Sequence, residues 1–205
     1  MSPSLPSGWT EGARYDGGNT RGHVALFYKV HDGSESDVTV SFSGAGASGS
    51  TNLVRMMVWR GNAPTGVLGD LSSYSNWAAQ FNLGPITAIT LTIAGQLLLV
   101  VGCRQNDMNS NVNGDSTNVD VLTGDSQTWA EACEWASTAG SDAGMVVGYC
   151  FTTGTPTITD KTFVNNDTGT TERPGVGFMI GFKPLVAGGL SIPVAMSTYR
   201  RQRPA

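Results

Sequence analysis

The sequence predicts an all-β protein, a β-sandwich or jelly roll built from two repeated four-strand units, with long loops and a C-terminal extension. Three observations carry that expectation. Helical periodicity is nearly absent, whereas apolar residues recur at every second position or in short runs rich in Val, Ile, Thr and aromatics, bounded by Gly, Asp, Asn and Ser. The charged fraction of 14% is low and the 27 glycines are many, which describes a neutral, turn-rich surface. Finally, the phrase "SGWTEGARY" at 7–15 returns as "QTWAEACEW" at 127–135.

The alternating runs place strands at 8–15, 23–30, 37–43, 52–60, 86–93, 96–103, 128–135, 144–151, 157–164, 175–183 and 190–198. Trp9, Glu11, Ala13 and Tyr15 share one face of the first strand by simple alternation, and Trp129, Glu131, Cys133 and Trp135 match them at an offset of 120. The match runs on. "GHVALFYKV" at 22–30 answers "GMVVGYCFT" at 144–152, "DVTVSFS" at 37–43 answers "TPTITDKTF" at 155–163, and "VRMMVWRG" at 54–61 answers "GFMIGFKP" at 177–184. Two units of four strands, about 8–61 and 128–184, are therefore expected within one domain at 1–184, because either unit alone is small for independent stability. Residues 64–84 read as a long irregular connection, with one helical turn at "AAQF", and 104–127 as a polar loop. Residues 185–205 read as a C-terminal arm.

Charge and hydropathy narrow the function classes. A net charge of −4 and a pI near 5.0 give no broad positive field for nucleic acid or an anionic membrane. The apolar stretch at 88–103 is too short and too interrupted to span a bilayer, and the N-terminus lacks the basic and apolar regions of a secretory signal, so synthesis in the cytoplasm is expected. Cys103, Cys133 and Cys150 lie far apart without metal spacing and read as buried free thiols.

Catalytic chemistry finds little footing. His23 and His31 lie near no nucleophile elbow or second ligand, and read as surface residues. Glu11 and Glu131 could face one cleft as a glycosidase-like pair, but their matched surroundings do not divide acid from base, which favours a structural role for both. In "NSNVNGDSTNVD", Asn109, Asn111, Asn113, Asp115 and Asp120 fall at calcium-loop spacing, yet few of them are carboxylates and no helices flank them. A weak calcium site is the lesser reading and a solvated loop the stronger; no other cofactor is implied. Tyr74 and Trp77, in the 64–84 connection, are the aromatics placed to stack on a glycan. Tyr199, Arg200, Arg201 and Arg203 form a basic end on an acidic body, suited to a neighbouring acidic surface.

"SGWTEGARYDGGNTRGHVALFYKVHDGSESDVTVSFSG", the later run "LTGDSQTWAEACEWASTAGSDAGMVVGYCFTTGTPTITDKTF" and the closing "GVGFMIGFKP" together resemble a pattern of bacteriophage virion structural proteins of β-sandwich or jelly-roll type. The resemblance spans roughly 7–184 and rests on diffuse features. It implies a non-enzymatic virion component without catalytic residues: a capsid decoration or cement protein, or a tail, baseplate or head-fibre module binding a receptor or glycan. The decoration role further implies the major capsid protein as partner, a homo-oligomer with a trimer favoured, and contacts through the arms, including Tyr199, Arg200, Arg201 and Arg203.

Overall fold

The computed structural model describes residues 2–16, 22–31, 33, 37–43, 53–63, 65–105, 125–137, 143–164 and 172–185. Within them the chain is all-β, with no helix and antiparallel pairing throughout. In chain order the strands are β1 (Ser2–Pro3), β2 (Thr10–Asp16), β3 (His23–Tyr28), β4 (Phe42–Ser43), β5 (Leu68–Leu71), β6 (Ser75–Gln80) and β7 (Leu83–Ile86). They continue as β8 (Ile89–Thr90), β9 (Leu97–Gln105), β10 (Ala130–Ser137), β11 (Ala143–Phe151), β12 (Thr157–Ile158), β13 (Lys161–Phe163) and β14 (Arg173–Phe182).

The centre is a six-stranded sheet in the order β10-β11-β9-β14-β5, with β6 also paired to β14. Both of its faces are covered, so the run "LLLVV" in β9 shows no polar alternation. On one face, Leu98, Val100, Val146, Cys150 and Met179 pack against Leu83, Ile86, Ile89, Leu91, Ile158 and Phe163 of the short pairs β7-β13 and β8-β12. On the other, Leu97, Leu99, Val101, Val147, Phe178, Ile180 and Phe182 meet Ala13 and Val24 of the β2-β3 hairpin, with Met57 and Trp59 packed at the edge of the same cluster.

β14 shows why its sequence reads "PGVGFMIGF". Phe178, Ile180 and Phe182 fill one face, while Gly175 and Gly177 on the other let Trp77 and Ile86 lie against the backbone. A Cβ at Gly177 would stand 2.6 Å from the Val101 carbonyl oxygen and 2.9 Å from Ile86 Cγ1. Gln96, fully buried, is wedged against Gly69 and Gly181. Its amide donates to Asp70 Oδ2 at 2.6 Å and to the Ile93 carbonyl at 2.9 Å, and its Oε1 accepts from the Asp70 N–H at 3.1 Å.

The sequence echo proves to be a repeated hairpin. In the first copy Thr10, Glu11, Ala13, Arg14, Tyr15 and Asp16 pair with Tyr28, Phe27, Leu26, Ala25, Val24 and His23. In the second, Ala130, Glu131, Cys133, Glu134, Trp135 and Ala136 pair with Tyr149, Gly148, Val147, Val146, Met145 and Gly144. The shift is a constant 120 along the first strand and 121 along its partner, and both hairpins carry a bulge at the same place, between Glu11 and Ala13 and between Glu131 and Cys133. A bulge inserts one residue and turns the alternation over. Gly12 with Ala13, and Ala132 with Cys133, therefore face the same apolar cluster.

That bulge corrects the expected face-sharing of Trp9, Glu11, Ala13 and Tyr15, because Glu11 is exposed while Ala13 is core. Other expectations also change. Residues 64–84 are not an irregular connection with a helical turn: they carry β5, β6 and the start of β7, whose short strands are interrupted by the turn at Phe81 and Asn82. In 37–43 only Phe42–Ser43 is paired, and 53–60 joins no ladder among the described residues, so the equivalence of the third and fourth strands is not carried by pairing. Residues 190–198 lie outside the described part.

Replacing Gly177 by Ala forces a methyl into the backbone of β9, and overpacking of this kind costs about 1–3 kcal/mol. Urea denaturation of Gly177→Ala should show a lower midpoint at unchanged slope; an unchanged midpoint would contradict the close packing of β7 on β14.

Candidate functional site

The chemistry-bearing residues divide into a buried set that holds strands together and an exposed set that faces outward. Glu11 belongs to the second. Its Oε2 meets Arg14 Nε and Nη2 at 2.8 Å, and Arg14 also donates to the Pro3 carbonyl at 2.8 Å while lying 5.3 Å from the Phe27 ring centroid. Glu131 is half-buried in β10, in a different sheet from Glu11. The two carboxylates hold equivalent positions in two hairpins of different sheets, and Glu11 is engaged in a local ion pair. His23, at the mouth of the first hairpin, has its Nδ1 3.0 Å from Asp16 Oδ1.

The buried set centres on Lys161, whose side chain is 1% exposed. Its Nζ lies 2.5 Å from Asp125 Oδ2 and 5.6 Å from the Trp129 ring centroid. Asp125 Oδ1 accepts from the Gln127 N–H at 2.8 Å and from Trp129 Nε1 at 3.0 Å. Burial opposes ionisation of Asp125, but the bonds from Lys161, Gln127 and Trp129 outweigh it and hold the carboxyl below its usual range. The network ties β13 to the segment entering β10. The sequence reading missed it, because Lys161 and Asp125 lie in polar stretches with nothing local to pair them.

Asp70 is a second lock: despite some desolvation, bonds from Thr92 and Gln96 lower its carboxyl, with Thr92 N–H at 2.8 Å and Thr92 Oγ1 at 2.7 Å. The three thiols are free. Burial pushes Cys103 and Cys150 up to about 12 and Cys133 up to about 11, so all three stay protonated and poorly nucleophilic near neutral pH. Among the described residues, no group of three or more His, Cys, Asp and Glu side chains is placed to hold a metal ion. No helix there is long and apolar enough to cross a membrane.

Of the two aromatics expected to stack on a glycan, Trp77 is corrected. It lies in β6 at 4% exposure, packed in the core and against Gly175, so neither ring face is open. Tyr74 does reach the surface at 39% exposure. Its ring is 5.2 Å from that of Tyr15 and 6.0 Å, edge-on, from Phe178; its hydroxyl accepts from the Arg14 N–H at 3.3 Å. Tyr15 in turn accepts from exposed Asn76 at 2.9 Å. The result is a small ledge of two tyrosines edged by the Asn76 amide.

The second outward feature is the extended segment 53–60. Met57 and Trp59 point inward, Trp59 meeting Tyr149 edge-on at 4.7 Å, and Arg55 lies 6.0 Å from the Trp135 ring. Val54, Met56 and Val58 alternate with them and are exposed by 58%, 66% and 75%. Exposed apolar side chains that form one contiguous patch mark attachment surfaces when the patch is large. The sequence reading placed a strand here but not its outward face. The arm residues Tyr199, Arg200, Arg201 and Arg203, and the calcium-spaced Asn109, Asn111, Asn113, Asp115 and Asp120, lie outside the described residues. Comparison with protein-family models, with curated proteins and with solved structures found no match to this chain.

Two outcomes follow for the buried set. Lys161→Ala should destabilise the protein by about 3–5 kcal/mol, because Asp125 is left charged without its cation, whereas the double change Lys161→Met with Asp125→Asn, which removes both charges and keeps an oxygen to accept from Gln127 and Trp129, should recover most of that loss in denaturant titrations. Asp125 and Asp70 are both lowered from 3.8, so the stability they lend is present above that pH and is lost as pH falls through their folded values. The acid limb of a stability-versus-pH curve should therefore flatten in Asp125→Asn; an unchanged limb contradicts the assignment.

Proposed function

We propose that this protein is a non-enzymatic structural component, a bacteriophage virion protein that binds the outer capsid surface and stabilises it. The observation that carries this reading is the outward row Val54, Met56 and Val58 on a segment held by Met57 and Trp59, which pack against the core. An attachment protein needs apolar area on a rigid base, and burial of each such side chain is worth about 1.5–3 kcal/mol. The strongest ionisable clusters support the same reading, since Asp125-Lys161 and Asp70-Gln96 are engaged in holding strands. The resemblance of 7–184 to virion proteins of sandwich type supplies the class. In this proposal the major capsid protein is the partner, the assembly is a small homo-oligomer with a trimer favoured, and Tyr199 with the basic residues Arg200, Arg201 and Arg203 contributes contacts.

Electron microscopy of purified particles tests the location, and capsid binding by the double variant Met56→Asp, Val58→Asp tests the surface. Loss of two buried apolar contacts should weaken capsid binding by about tenfold or more. Unchanged occupancy, or density away from the capsid, overturns the proposal.

A second reading, a tail or head-fibre module binding a receptor or glycan, draws on the Tyr15-Tyr74 ledge, which pairs exposed ring area of Tyr74 with the polar neighbour Asn76. Saturable binding on a glycan array that Tyr74→Ala abolishes, in a protein folded as the parent, would favour it over capsid decoration.

A further inference from the structure

One buried contact brings an amine and a carboxyl to reacting distance. Lys161 stands in β13 opposite Ile86 with its side chain 1% exposed, and its Nζ lies 2.5 Å from Asp125 Oδ2. With a carbon–oxygen bond of about 1.2 Å, Nζ is within about 3.7 Å of the carboxyl carbon Cγ, close to the separation of about 3–3.5 Å from which bonds form. The two carboxyl oxygens have unlike surroundings. Oδ1 accepts from the Gln127 N–H at 2.8 Å and from Trp129 Nε1 at 3.0 Å, whereas Oδ2 is buried and takes no hydrogen bond from a third group among the described residues. Oδ1 is thus held as an oxyanion hole holds the oxygen of an acyl group, and Oδ2 is placed as the oxygen that leaves.

We propose that Lys161 and Asp125 condense to an amide, a covalent bond between side chains that ties β13 to the segment entering β10. The ion pair is the resting state before the bond. One proton passes from Nζ to Oδ2 across the contact, leaving a neutral amine beside a carboxylic acid, the form in which a buried pair is relieved of the cost of desolvated charge. The Nζ lone pair attacks Cγ, and the electrons of the C=O bond move onto Oδ1, where the Gln127 and Trp129 N–H groups stabilise them. A second Nζ proton goes to the Oδ2 hydroxyl, the Cγ–Oδ2 bond breaks with the return of the electrons from Oδ1, and water departs. The amide keeps one N–H. Ammonium and carboxylate have become amide and water with no change in net charge and no oxidant, cofactor or external base.

The fold supplies what the free side chains lack. Groups held in register react as if at a concentration of about 10⁵–10⁸ M, which overcomes the poor electrophilicity of a carboxyl. Asp125 keeps 9% side-chain exposure against 1% for Lys161, so the water has its way out on the Asp125 side. The bond closes a loop that contains β10, β11 and β12 and restricts the unfolded chain as a disulfide would. The inference rests on this contact and not on what the protein binds.

Intact-mass spectrometry of the folded full chain, followed over days, tests it. The mass should fall below the sequence mass by one water, and a digest should yield a branched peptide joining Lys161 to Asp125. Lys161→Arg, which keeps a cation but not the attacking amine, should retain its full mass. Chains that carry the bond have no Asp125 carboxyl to titrate, so the acid-limb response of Asp125→Asn is read against parent chains of full mass. A folded parent chain that keeps its full mass, a water loss that hydroxylamine reverses or that maps to an Asp-Gly step, as a succinimide would, or a loss that persists in Lys161→Arg, each overturns the proposal.

Discussion

The ladder between β9 and β14 is the constraint on which the rest depends. Its register runs from Gly175 opposite Arg104 to Phe182 opposite Leu97, and both strands have neighbours on their other edges, so their backbone groups are satisfied inside the sheet. Each strand then has two faces to bury. β9 meets the demand with apolar side chains on both, whereas β14 sets Phe178, Ile180 and Phe182 against one layer and Met179 between glycines against the other. The small layers could not stand alone. Two-stranded pairs such as β7-β13 and β8-β12 are marginal in water and owe their order to the faces they cover.

Polar groups inside this arrangement act as fasteners between layers. Lys161 joins β13 to Asp125 ahead of β10, and Gln96 joins β5 to the turn before β9 by way of Asp70. Each has its main polar partners in place, which is the condition under which a buried polar group specifies a fold and does not weaken it. The same economy explains the outer surface. Among the described residues Asp125, Lys161 and Asp70 are engaged in packing and pairing, and the exposed surface includes the apolar row Val54, Met56 and Val58 together with Tyr74.

The all-β class and the duplicated start were legible because period-two alternation and a fixed offset are properties of the sequence itself. The bulge was not. Glu11 and Ala13 look like same-face neighbours until a single inserted residue, Gly12 in one copy and Ala132 in the other, turns the strand over. Trp77 misled for a related reason: Ser, Tyr and Asn around it read as a loop, yet β6 is a strand that exposes Asn76, Ala78 and Ala79 and whose indole occupies space left by Gly175. Half of the expected glycan pair was therefore core. Lys161 with Asp125, and the outward row at 54–58, were invisible because each depends on contacts between distant parts of the chain, to which composition and spacing are blind.

The first hairpin copies the second in register but not in station: β10-β11 lies inside the central sheet, while β2-β3 is a separate ribbon laid over it. If the β9-β14 ladder is the foundation, equivalent sequences should differ in stability according to where they sit. Native-state hydrogen exchange across both hairpins measures this directly. The account predicts that amides of 144–149 exchange only with global unfolding, alongside those of β9 and β14, while their counterparts in 23–28 open earlier. Equal protection of the two hairpins, or a first hairpin that outlasts β9, would contradict it.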